Sequence, residues 1–113
     1  MKKLLMLLLI AGHALGGDLR KGEVVTVKAD SFWFPERQDL VTYSRVADRI
    51  NSDARAAYEE ALCGTRTCWQ FGSAQRVRVL LYDRSYGIAW VEIIGGGSKN
   101  HFDFYIDAKD IQK

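Results

Sequence analysis

Residues 76–94 read Arg76-Val77-Arg78-Val79-Leu80-Leu81-Tyr82-Asp83-Arg84-Ser85-Tyr86-Gly87-Ile88-Ala89-Trp90-Val91-Glu92-Ile93-Ile94. Val77, Val79 and Leu81 recur every second residue, the period of a half-buried β-strand. Arg76 and Arg78 then share the opposite, solvated face. A second run rich in β-formers follows at 88–94, and residues 83–87 between the two are turn formers ending in glycine. The stretch therefore predicts a β-hairpin. Within it, Trp90 alternates with the presumed core residues Ala89 and Val91, so it faces outward or lies under another element.

Working outward, residues 95–100 form a glycine-rich loop, and residues 101–106 predict a further strand with Phe102, Phe104 and Ile106 on one face. Residues 107–111 suit a final helical turn. On the other side, residues 67–71 read as a short strand. Residues 44–63 predict one helix: Val46, Ile50, Ala54, Ala57, Tyr58, Ala61 and Leu62 recur at intervals of three and four. Ser44 is placed as its N-cap, and Asn51-Ser52-Asp53 marks a point where it can break in two, with Ser52 capping the second piece. The alanine-rich stripe implies close packing on a sheet. Residues 30–39 carry Phe32, Trp33, Phe34 and the only proline, Pro35, and read as an aromatic loop after a first strand at 23–28. The fold class is mostly β within an α+β chain.

The N-terminus predicts where this domain works. Met1-Lys2-Lys3 is basic, Leu4 to Ile10 is apolar and extended by Ala11, and small residues follow at Gly12, Ala14, Gly16 and Gly17. That is the pattern of a secretory signal peptide, here residues 1–16, leaving residues 17–113 as the domain. Cleavage after Ala14 or after Gly16 fits equally. The apolar run is well short of the roughly 20 residues that span a bilayer. The expectation is export, to a periplasm or to the medium, with no stable membrane insertion after cleavage.

The whole chain has 16 Lys and Arg against 14 Asp and Glu. Lys2 and Lys3 leave with the signal and no acid does, so the mature charges balance. Nucleic acid is therefore not an expected partner, since such binding needs a positive field. No pattern asks for a cofactor or metal. Asp103, Asp107 and Asp110 fit no calcium loop, and His101 is the only histidine left after cleavage. Cys63 and Cys68 bracket a short loop at the end of the predicted helix. In an oxidising compartment their default is a disulfide, whose loop-closure stabilisation is about 2 kcal/mol.

The segments VRVLLYD, GIAWVEI and FYIDAKDI within residues 76–111 resemble the C-terminal part of a bacterial SH3-like domain. That family shows a hairpin with a tryptophan early in its second strand, a further strand, a helical turn and a closing apolar residue. The resemblance implies a small SH3-like barrel, with the helix at 44–63 inserted between its first and second strands. It further implies a peptide groove lined by aromatic residues of the first loop and the hairpin strands. Here those are Trp33, Phe34, Tyr86, Trp90 and Tyr105.

The favoured function is non-enzymatic binding, to a cell-wall component or to an envelope or secreted protein. Inhibition of a secreted enzyme belongs to the same class. One alternative rests on Asn100-His101-Phe102-Asp103-Phe104, which is similar to the histidine-bearing strand of small secreted microbial ribonucleases. It implies acid–base hydrolysis at His101, with Glu92 as base and Arg76 or Arg78 for phosphate. The other alternative is a structural subunit of an envelope or phage assembly, pairing through an edge strand.

Overall fold

The computed structural model describes residues 19–94 and 103–112. In chain order the elements are β1 (Val24–Val27), β2 (Phe32–Trp33), α1 (Arg37–Ala47), α2 (Ser52–Gly64), β3 (Trp69–Gln70), β4 (Gln75–Asp83), β5 (Ile88–Ile93), β6 (Asp103–Asp107), a 3-10 turn (Ala108–Asp110) and β7 (Ile111–Gln112). The described residues thus form a small α+β protein with two helices. No helix among the described residues is long and apolar enough to cross a membrane.

The predicted hairpin is the centre of the sheet. β4 and β5 pair antiparallel, β6 adds to β5, and β1 adds to the other side of β4. After the 3-10 turn, β7 returns to pair with β1, giving the order β6-β5-β4-β1-β7. β2 and β3 form a separate pair. A two-bond bridge joins that pair to β6: Phe34 N donates to the Tyr105 carbonyl at 2.9 Å, and Tyr105 N donates to the Phe34 carbonyl at 2.7 Å. Among the described residues neither sheet closes on itself, so the structure shows an open, mostly antiparallel sheet and not a closed barrel.

Alternation along the strands builds two cores, one on each face of the sheet. On the inner face Val25, Val27, Val77, Val79, Ala89, Val91, Phe104 and Ile106 pack together with Trp33. Each fully buried valine or isoleucine side chain there contributes about 1.5–3 kcal/mol. On the outer face, Ile88 packs with Phe34, Leu40, Val41 and Cys68 under α1. The hairpin turn needs its glycine: Gly87 has φ +64°, and its carbonyl accepts from Ala108 N at 2.8 Å, tying the turn to the 3-10 segment.

Two expectations are corrected here. The helix at 44–63 is two helices, with the break at the predicted place but a different cap. The Asn51 side chain, not Ser52, accepts from Ala54 N at 2.8 Å. α1 begins at Arg37 rather than Ser44, because Leu40 and Val41 supply its buried face. The alanine stripe does not pack closely on a sheet, since α2 contributes no fully buried residue. The second correction is Leu81. A register shift between Val79 and Leu81 turns it from the inner face to the outer, where it is 58% exposed.

Candidate functional site

The bulge in β4 assembles an apolar row on the outer face of the meander. Leu81 pairs with Trp90, and Trp90 pairs with Tyr105. The Trp90 and Tyr105 rings stack at 5.9 Å with planes 12° apart. Trp90 Nε1 donates to Asp103 Oδ2 at 2.8 Å, so the indole is held at both its face and its edge. The next row is polar: Arg78 pairs with Glu92, and Arg78 Nη1 donates to Glu92 Oε1 at 3.2 Å. At the turn end, Arg37 Nη2 donates to Asp83 Oδ2 at 2.9 Å, and the Arg37 guanidinium stands 4.8 Å over the exposed Tyr86 ring. The Arg37 hydrogen bond holds the Asp83 carboxyl below the usual carboxylate range. The arrangement offers fixed aromatic surface with hydrogen-bonding groups beside it.

The five aromatic residues expected to share one groove are divided. Trp90 and Tyr105 meet on the outer face, and Tyr86 lies at the turn on the same side of the hairpin. Trp33 and Phe34 are core residues, 1% and 0% exposed. Trp33 sits edge-on to Phe71 and Phe104 in the inner core, so it lies across the sheet from Trp90. Rings buried this completely present no face to a ligand. Leu81 is the residue sequence reasoning missed, because its alternation with Val77 and Val79 carries no sign of the bulge.

A second constellation lies between α1 and α2. The Tyr43 hydroxyl donates to Glu59 Oε2, Arg55 Nε donates to the same carboxylate oxygen at 3.2 Å, and Arg55 Nη2 reaches the Tyr43 hydroxyl at 3.5 Å. Burial, and next the hydrogen bond to Glu59, push the Tyr43 hydroxyl up to about 12. The shared Glu59 carboxylate oxygen thus ties Tyr43 of α1 to Arg55 of α2. The cluster edges a cleft of about 280 Å³ that also reaches Asp107 and Asp110. Burial, and then the Asp107 charge, raise the Asp110 carboxyl. The Arg55–Glu59 spacing of four residues on a helix is a readable signal for that pair.

A more apolar groove of about 590 Å³ opens beside Trp69, Phe71, Ile93 and Phe104, with Asp103 on its wall. Cys63 and Cys68 lie with Sγ atoms 3.5 Å apart, near each other and unbonded. Among the described residues, no three His, Cys, Asp or Glu side chains converge as a metal site. The residues given hydrolytic roles divide as follows. His101 lies outside the described residues, as does the predicted signal segment, and Glu92 is bonded to Arg78. The sheet edges that a subunit would pair through are short or interrupted: β7 has two residues, and Phe34 bridges β6 at Tyr105. No family model matches this chain, and neither do the curated proteins or the solved structures compared with it.

Proposed function

We propose that this chain is an exported binding domain without catalytic activity, taking a cell-wall component or an envelope or secreted protein on the outer face of β4, β5 and β6. The observation that carries the reading is the row of exposed Leu81 and half-buried Trp90 and Tyr105, with the indole fixed by Tyr105 and Asp103. Aromatic side chains already held in place lose little freedom on binding, and such anchors dominate interface energies. Export is supported by the basic, apolar, small-residue order of the N-terminus. We also read the sheet as SH3-like. The support is the succession of hairpin, further strand, one 3-10 turn and the returning Ile111.

The test is retention of the purified protein on two fractions of its own host's envelope, wall sacculi and envelope proteins. Wild type is expected to be retained by one of them. Trp90→Ala lowers that affinity roughly 30-fold, the equivalent of about 2 kcal/mol. Equal retention of wild type and variant, or retention of neither, contradicts the proposal.

A further inference from the structure

Helix α2 is held to the body by little. None of its residues is fully buried. Its C-terminal end rests on the outer core through the half-buried Leu62 and Cys63. Along its flank, Glu59 takes the Tyr43 hydroxyl, and Tyr58 stacks on Tyr43 at 6.0 Å. Cys68, 1% exposed, sits in the outer core under α1. A tight backbone turn holds the two cysteines together. Thr65 N bonds the Ala61 carbonyl at 3.0 Å, Arg66 N the Cys63 carbonyl at 3.1 Å, and Thr67 N the Leu62 carbonyl at 2.9 Å. Arg66 occupies the left-handed region at φ +61° to make that turn. The sulfurs need to close from 3.5 Å to the ~2.05 Å of a covalent bond.

We propose that Cys63 and Cys68 are a redox latch, closing to a disulfide by exchange with an external disulfide and so fastening the end of α2 to the outer core. Cys63 is the more accessible sulfur, so it is the point of attack. Its thiolate bonds one sulfur of the incoming disulfide and expels the other as a thiol. Cys68 then gives up its proton, bonds the Cys63 sulfur and expels the second thiol. Two protein thiols are oxidised, one external disulfide is reduced, and the two protons leave on the released thiols. Burial pushes the Cys68 thiol up to about 12, with its hydrogen bond to Cys63 adding to this, so Cys68 is suited to the second step, not the first.

The test incubates the native full chain with oxidised glutathione and follows intact mass and amide exchange. The expected product is two hydrogen atoms lighter and carries no glutathione. Amide exchange across Ser52 to Leu62 slows about tenfold or more on bonding. Cys68→Ser, which lacks the second sulfur, should instead keep one glutathione on Cys63. Cys63→Ser should gain neither a disulfide nor an adduct. Lasting adducts on wild type, an unreactive pair, or bonding that leaves α2 exchange unchanged overturns the proposal. The experiment is done on purified protein and does not depend on export or on binding at Trp90.

Discussion

The two tryptophans should respond in opposite ways to truncation. Trp33→Ala removes a ring 1% exposed, in edge contact with Phe71 at 5.2 Å and Phe104 at 5.7 Å. Emptying such a site costs about 3–5 kcal/mol, and the two ring contacts place Trp33 toward the upper end. In a domain of this size each kcal/mol moves Tm by about 4–8 °C, so the expected fall exceeds ~15 °C. Trp90→Ala removes a half-buried ring whose hydrogen-bond partner, Asp103, is exposed and can turn to water. Its loss is one hydrogen bond, about 1 kcal/mol net, and one stacked pair, about 0.5–1.5 kcal/mol. Thermal melts of both variants by circular dichroism decide the matter. The reasoning fails if Trp33→Ala melts within a few degrees of wild type, or if Trp90→Ala is the more damaging change.

Other outcomes follow from the helices and the N-terminus. Tyr43 is neutral in the folded state up to about pH 12 because its hydroxyl is raised from an ordinary 10.0. Its contribution to stability is complete below pH 10 and is lost as pH rises toward 12. Denaturation of wild type and Tyr43→Phe across that range should show the extra loss only in wild type. Asn51→Ala removes the cap on α2 and should cost about 1 kcal/mol, read as a shifted denaturation midpoint; no shift would contradict the capping role. N-terminal sequencing of exported protein should give a first residue between Leu15 and Asp18, and an intact Met1 would count against the signal.

The sheet was legible because its burial follows a two-residue period. Val77 and Val79 in β4, and Ala89 and Val91 in β5, fall on the inner face as their alternation predicts. The 3-10 turn and Ile111 were also foreshadowed. Legibility stopped where tertiary context overrides period. The bulge after Val79 inverts Leu81 and has no local signature. Adjacent Trp33 and Phe34 enter opposite cores because the chain bridges to Tyr105 at that point, a pairing 71 residues distant in sequence. α1 starts earlier than the stripe from Val46 predicts because its buried face, Leu40 and Val41, lies N-terminal to that stripe. The candidate site suffers accordingly: Trp90 and Tyr105 come together, and Trp33 and Phe34 do not join them.

The claim that the outer face of the meander is the binding surface is tested most directly by crosslinking from it. A photoreactive phenylalanine analogue placed at Leu81 samples the space beside Trp90, and one at the exposed Ala74, before the far end of β4, serves as a control. After irradiation in the producing cells, the account predicts a discrete adduct from position 81, to an envelope protein or to wall fragments released by digestion. It predicts that Trp90→Ala abolishes this adduct and that position 74 yields none. Equal adducts from both positions, or no adduct at 81 in cells that make and export the protein, would contradict it.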